Sequence, residues 1–147
     1  MEVNYKIYRK VKIYFNKVCA AIPHLEQLQE RSSLAFGASL VQSRIEEMRL
    51  VQAELVSFFM NPSLKVPFVP ASRCLALMNW YSDNALFSCA SLAAYSEMLV
   101  TEDHKVIQDA NYILSDRLLP SRLKVIFENH RSRLQGIQTS SDVLNKD

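Results

Sequence analysis

The stretch from Cys74 to Ser96 constrains the fold of this chain more than any other part of its sequence. It reads CLALMNWYSDNALFSCASLAAYS and carries one formal charge, that of Asp83. It contains no Gly or Pro and is long enough for about six helical turns. Because a helix that is apolar nearly all round has to be buried, we predict that this stretch is the central helix of an all-α domain.

The length of the same stretch would also suit a membrane span. Its polar residues argue against one, because they fall in the middle of the segment, where hydrocarbon penalises them. These residues are Asn79, Ser82, Asp83, Asn84, Ser88 and Ser91. The mean hydropathy of the chain, -0.03, is also that of a protein without membrane helices. We therefore predict no transmembrane segment.

The chain has 147 residues, which favours one domain. It contains only two glycines, Gly37 and Gly136, fewer than the turns of a β-sandwich or a doubly wound sheet usually require. Gly-rich phosphate-binding loops are absent from the sequence. We predict a single helical-bundle domain over residues 1–138, followed by a frayed polar tail at 139–147, and no enzymatic activity.

Apolar spacing divides the chain into helices joined by Pro-containing breaks. The first helix is predicted from Tyr5 to Glu30, with a kink or break before Pro23. The second is predicted from Ser32 or Ser33, either of which can cap it, to Met60. Three prolines between Asn61 and Pro70 predict an extended crossover that packs along the bundle, with partner binding by this segment as the alternative.

The third helix is predicted from Ala71 or Ser72 to Val100, and Thr101 is predicted to cap the helix that follows. A break at Pro120 precedes the last helix, which Gly136 helps to end. Together these elements predict an antiparallel four-helix bundle with a long crossover between helices two and three.

Five basic residues at the start of the chain form a candidate basic surface. The first twenty residues carry a net charge of +4, whereas the whole chain carries only +2 at pH 7. Such a helix is usually one solvated wall of a bundle, but it can also bind a membrane surface or nucleic acid. The overall charge is too small for a strong nucleic-acid signal, and the lysines interrupt every apolar run that a signal peptide would need. The residues are Lys6, Arg9, Lys10, Lys12 and Lys17.

The cysteines and histidines predict neither disulfides nor a metal site. Cys19, Cys74 and Cys89 form no CxxC pair, and three free thiols suit a cytoplasmic protein in which cysteine acts as a small core residue. Carboxylate-bridged metal pairs in bundles need Glu-x-x-His on two helices. The residues three places before the histidines are Ala, Thr and Phe. We therefore expect no cofactor and no stoichiometric iron, manganese or zinc.

Several residues are candidates for a polar core or an interface. His130 lies on the apolar stripe of the last helix, where a core histidine bonded to a neighbour is the simplest reading and a ligand or catalytic role is the alternative. Asn79, Asp83 and Asn84 in the predicted central helix could form a polar network, line a small pocket or lie in a dimer interface. Trp80 and Phe87, seven residues apart, would be the anchors of that interface.

Two segments resemble a bacterial ferritin-like four-helix-bundle family of unknown function. The second helix contains Arg44, Arg49, Glu54 and Leu55 in the pattern R-x4-R-x4-E-L. The last helix begins at Leu118-Leu119-Pro120-x2-Leu123 and carries His130 and Leu134. In place of the Gly-rich turn that the family has after its second helix, this chain has the three-proline crossover. The resemblance implies a ferritin-like bundle without secure metal ligands, and it implies no activity.

These observations predict a non-enzymatic interaction or structural protein that forms a homodimer and can have a further protein partner. The dimer follows from the predicted central helix, whose apolar faces one bundle cannot cover. The alternatives are a degenerate ferritin-like protein that binds a metal or small ligand in the bundle core, and an adaptor that uses the basic first helix.

Overall fold

The computed structural model describes residues 5–31, 37–61, 80–89 and 91–145, with the backbone alone at 37 and 140–145. These residues form four α-helices and one short 3-10 helix, Asn84–Ser88, and they contain no strand. The prediction of an all-α chain with four helices is confirmed. The α-helices are α1 (Tyr5–Arg31), α2 (Gly37–Phe59), α3 (Leu92–Leu114) and α4 (Ser121–Asn145).

The helices share one core because each presents an apolar stripe with a spacing of three and four residues. Helix α1 packs most closely on α2, α2 also packs on α4, and α4 packs on α3. Tyr8 near the start of α1 contacts the rings of Phe58 and Phe59 at the end of α2. Gln29 near the end of α1 donates to Gln42 near the start of α2 at 2.7 Å. The contacts therefore run along the whole length of the α1–α2 pair.

The predicted central helix, residues 74–96, is wrong over residues 80–89, whereas residues 92–96 are helical as predicted and begin α3. Residues 80–89 contain a turn and the 3-10 helix, and α3 begins only at Leu92. The polar side chains of this segment are the physical reason, because they bond the local backbone in place of helical bonds. Asp83 accepts from the backbone N–H of Ala85 and caps the 3-10 helix. Ser91 accepts from Ala94 and caps α3.

The predicted boundary between Val100 and Thr101 is also wrong. Helix α3 continues through it, and the Thr101 hydroxyl donates to the carbonyl of Glu97 one turn earlier instead of capping a new helix. The predicted break at Pro120 is present, because α3 ends at Leu114 and α4 begins at Ser121.

Two residues that the sequence pattern predicts to interrupt or end helices, Pro23 and Gly136, lie inside continuous helices. Helix α1 continues past Pro23 to Arg31, so the chain does not break there. Helix α4 passes through Gly136 and reaches Asn145, so residues 139–145, predicted as a frayed tail, are helical. In α1 the stripe of buried side chains continues beyond Pro23 with Leu25 and Leu28, and packing of that stripe favours the helix despite the proline.

Several sequence predictions lie outside the described residues. They concern the crossover after Asn61, the Ser32 and Ser33 cap, Cys74, and Asn79. Among the helices that are described, none combines the length and the apolar content that crossing a bilayer requires.

Candidate functional site

The centre of the bundle contains ionisable side chains that are almost fully buried. They come from three helices: Arg44 and Glu47 from α2, Glu102 and Asp103 from α3, and His130 from α4. Each lies on the same stripe as the apolar core residues of its helix, which is why packing the helices together buries it. Since burying an unpaired charge costs several kcal/mol, the partners of these groups decide what the site can do.

The Arg44 guanidinium and the Asp103 carboxylate form an ion pair in which both side chains are 0% exposed. Arg44 Nε donates to Asp103 Oδ1 at 2.9 Å, and Nη2 donates to Oδ2 at 2.6 Å. Nη1 donates to the Leu40 carbonyl at 3.0 Å. The Tyr81 hydroxyl donates to the same carboxylate. We call Arg44, Asp103 and Tyr81 the Arg44 cluster; it joins α2, α3 and the turn before the 3-10 helix.

The charge states in the Arg44 cluster follow from burial and from its own contacts. Burial acts to lower the pKa of Arg44, but the hydrogen bonds and negative charge of Asp103 outweigh it and raise that pKa. Burial, followed by the negative charge of Asp103, raises the pKa of Tyr81 well above its ordinary value. The cluster therefore contains a charged guanidinium and a neutral phenol.

Tyr81 has a left-handed backbone, with φ of 62°, which is costly for a bulky residue. Hydrogen bonds hold both its backbone and its side chain. Its backbone N–H donates to Glu102 Oε1 at 2.9 Å, while its hydroxyl bonds Asp103 on the next residue of α3. Glu102 also forms an ion pair with Lys105 on the solvent side of the helix. Two adjacent carboxylates of α3 thus fix the turn that replaces the predicted central helix.

A second chain of bonds runs through His130 across α1, α2 and α4. His130 is 0% exposed; its Nε2 lies 2.6 Å from the Tyr14 hydroxyl and its Nδ1 lies 2.6 Å from Glu47 Oε2. Glu47 Oε1 accepts from Arg133 Nε at 2.6 Å, and Arg133 Nη2 donates to Glu54 Oε1 at 2.6 Å. We call Tyr14, Glu47, His130, Arg133 and Glu54 the His130 cluster.

The chemistry of the His130 cluster fixes the direction of its hydrogen bonds. A carboxylate can only accept, so Nδ1 carries a hydrogen that it donates to Glu47. In the neutral ring, Nε2 then accepts the hydrogen of the Tyr14 hydroxyl. Burial, followed by the negative charges of Asp109 and Glu47, raises the pKa of Tyr14 well above its ordinary value and keeps it a donor. Tyrosine, imidazole and carboxylate in line resemble a proton relay, but Arg133 occupies the carboxylate end.

Each of the three buried carboxylates among the described residues has both oxygens bonded within the chain, and Glu102 uses its two on the Tyr81 backbone N–H and on Lys105. Asp103 uses both oxygens on Arg44 and Tyr81, and Glu47 uses both on His130 and Arg133. Within the described part of the chain, no three His, Cys, Asp or Glu side chains come together in an arrangement that could hold a metal ion.

The structure separates the residues that the sequence predicts as a polar core or interface. Asp83 and Asn84 are exposed, because they belong to the cap and first turn of the 3-10 helix, so the predicted buried network at these positions is wrong. Trp80 is buried against Tyr14, with ring centroids 4.8 Å apart. Phe87 is 40% exposed, with the Arg31 guanidinium over its ring. Trp80 and Phe87 therefore do not share a helix face as predicted.

The candidate basic surface is partly neutralised by acidic residues at the α3 side. Lys10 Nζ lies 3.2 Å from Asp116 Oδ2, and Lys17 Nζ lies 2.9 Å from Asp109 Oδ2. Asp109 Oδ2 also accepts from Trp80 Nε1 at 3.0 Å. A polar pocket of about 460 Å³ opens beside this contact, lined in part by Lys17, Trp80 and Asp109. The five basic residues are thus not one uniform surface.

Sequence reasoning did not identify Arg44, Glu47 or Asp103 as interior residues. The spacing of these residues relative to the apolar stripes would have indicated their burial. Arg44 and Glu47 fall on the stripe that Leu40 and Val51 define, and Asp103 falls between Leu99 and Val106. A charged residue at such a position has to find a buried partner.

No protein-family model, no curated protein and no solved structure matches this chain.

Proposed function

We propose that this protein is a non-enzymatic helical bundle that acts through its outer surface, as an interaction or structural protein. The observation that carries the proposal is the closed pairing of the buried charges. Glu47 and Asp103 use every carboxylate oxygen on side chains of their own chain. A catalytic or ligand site keeps at least one such group open to its substrate, so we interpret the interior charges as mutual partners that hold the helices in one packing arrangement.

We further propose an antiparallel, ferritin-like arrangement of the four helices. The support is the order of contacts. Lys10 and Lys17 of α1 bond Asp116, in the turn after α3, and Asp109 of α3, so that residue numbers rise along α1 as they fall along α3. The same inversion relates α1 to α2 and α2 to α4. Neighbouring pairs of this kind, with one long connection between α2 and α3, are typical of ferritin-like bundles.

Self-association as a homodimer remains part of the proposal, although Trp80 is withdrawn as an anchor because it is buried within its own chain. Phe87, 40% exposed, is the remaining candidate contact. Light scattering at micromolar concentration is expected to give twice the mass of one chain. Phe87→Glu is expected to give a folded monomer if Phe87 lies in the interface. A native protein with the mass of one chain contradicts the dimer without affecting the other proposals.

A second candidate function is a degenerate ferritin-like protein that binds a metal or small ligand in the bundle core. The observation that favours it is the position of the His130 cluster, where α1, α2 and α4 bring a tyrosine, a glutamate and a histidine together. A metal would have to displace Arg133 from Glu47, which opposes binding. Elemental analysis and the shift of Tm on adding Fe²⁺, Mn²⁺ or Zn²⁺ test it. One bound ion per chain, lost in His130→Ala, would establish this candidate and overturn the first.

A further inference from the structure

One end of the bundle gathers basic and apolar side chains from all four helices. We call this surface the basic end. It comprises residues 5–10 of α1, 58–61 at the end of α2, 112–118 at the end of α3 and its following turn, and 121–125 at the start of α4.

Direct contacts hold these four stretches together. Tyr8 packs against Phe58, with ring centroids 6.3 Å apart. The Arg122 guanidinium lies 5.9 Å from the centroid of the same Phe58 ring. Lys10 bonds Asp116 at 3.2 Å. The basic end is therefore one continuous surface and not a set of separate patches.

The charge of the basic end is strongly one-sided. Within the four stretches, six lysines and arginines accompany a single carboxylate, Asp116, and that carboxylate is bonded to Lys10. The chain as a whole carries only +2, so the positive charge is concentrated here. The basic residues are Lys6, Arg9, Lys10, Arg117, Arg122 and Lys124.

Exposed apolar side chains lie among these charges. Eight large hydrophobic side chains are well exposed among the described residues, and five of them belong to the basic end. The five are Tyr5 at 68%, Met60 at 65%, Tyr112 at 61%, Leu118 at 64% and Val125 at 54%. Isolated exposed apolar residues need no explanation, but a group of them within a cationic surface indicates an interaction site.

We propose that the basic end binds the surface of an anionic phospholipid bilayer. The inference rests on the proposed function, for which it names the partner. Lysines and arginines near a membrane are attracted by anionic headgroups, and apolar and tyrosine side chains gain free energy by entering the headgroup region. Nucleic acid would explain the basic charges, which bind phosphates, but not the exposed apolar side chains, because Leu118 and Met60 make no favourable contact with a phosphate backbone. Charge and apolar exposure together favour the bilayer.

The test is flotation of the full chain with vesicles of phosphatidylcholine alone or mixed with phosphatidylserine. We expect binding to the mixed vesicles only, weakened by salt. The variant Arg9→Gln/Arg117→Gln/Lys124→Gln is expected to bind about a hundredfold more weakly, at a few-fold for each charge. Leu118→Ser is expected to bind about tenfold more weakly, because it removes one inserted apolar side chain.

Two matched controls use exposed residues away from the basic end. Arg31→Gln/Arg49→Gln/Lys105→Gln removes the same charge, and Leu50→Ser makes the same apolar-to-polar change. Both are expected to bind the mixed vesicles like the native chain. Absence of vesicle binding, or equal loss in the control variants, overturns the inference.

Nucleic acid provides a further outcome. Salt-sensitive binding to a duplex or single-stranded oligonucleotide, unchanged in Leu118→Ser and without vesicle binding, would replace the bilayer as the partner. Neither outcome bears on the proposal that the buried charges are paired only with each other. That proposal would be contradicted by stoichiometric binding of a metal or ligand in the core.

Discussion

Helix α3 carries two aspartates six residues apart that make the same kinds of bonds in opposite environments. Asp103 bonds Arg44 and the hydroxyl of Tyr81, and its ion pair is 0% exposed on both sides. Asp109 bonds Lys17 and the indole nitrogen of Trp80, and both charged side chains of that pair are more than a third exposed. Similar geometry thus has different consequences: the first set is part of the core, and the second is part of the surface.

The largest difference is expected when each carboxylate is removed. Asp103→Ala leaves the Arg44 charge buried without its partner and is expected to lower the free energy of unfolding by about 3–5 kcal/mol. Asp109→Ala is expected to cost about 0–1 kcal/mol, because water solvates what remains. Urea unfolding of both variants measures the contrast. If both variants lose the same free energy of unfolding, burial does not distinguish the contacts of Asp103 from those of Asp109.

A smaller effect is expected from the hydroxyl of Tyr14. Tyr14→Phe keeps the buried ring but leaves His130 Nε2 without its partner, and is expected to cost about 1–3 kcal/mol. Tyr112→Phe makes the same chemical change on a side chain that is 61% exposed and serves as the control. If the two substitutions have the same effect on urea unfolding, the His130 cluster contributes nothing specific to the core.

The buried tyrosines also predict a loss of stability at alkaline pH. Tyr14 and Tyr81 have folded-state pKa values well above 10.0, the ordinary value at which the unfolded chain ionises. Their contribution is complete below pH 10.0 and decreases as the pH rises from there toward the raised values. The double variant Tyr14→Phe/Tyr81→Phe is expected to lose less stability over this range, as measured by urea unfolding at each pH. An unchanged slope would contradict the assignment.

The sequence predicts the all-α fold and the helical stripes of α1 and α2, because their buried residues recur every three or four positions and polar residues fill the other faces. The helix prediction fails over residues 80–89. There the apolar content is high enough for a helix, yet Asp83 and Ser91 accept from nearby backbone N–H groups and begin new helices instead of continuing one. Residue composition alone does not distinguish a buried polar group in a helix from a cap between two helices.

The candidate site was less predictable than the fold. His130 was identifiable from its place on an apolar stripe, but its partners come from positions 83 and 116 residues away in sequence. Arg44 and Asp103 each lie on an apolar stripe, but they are separated by 59 residues in sequence. A single sequence shows that a charge lies on a buried stripe; only the packed helices show which charge neutralises it.

The central claim is that the buried polar groups of the Arg44 cluster are needed only as partners for each other. The most direct test is the free energy of unfolding of the triple variant Arg44→Met/Asp103→Leu/Tyr81→Phe. All members of the Arg44 cluster are replaced together by apolar groups of similar size, so none is left buried without a partner. We expect the triple variant to unfold within about 1 kcal/mol of the native protein, in contrast to Asp103→Ala. A triple variant as unstable as Asp103→Ala would show that the charges are required for a purpose beyond their mutual pairing.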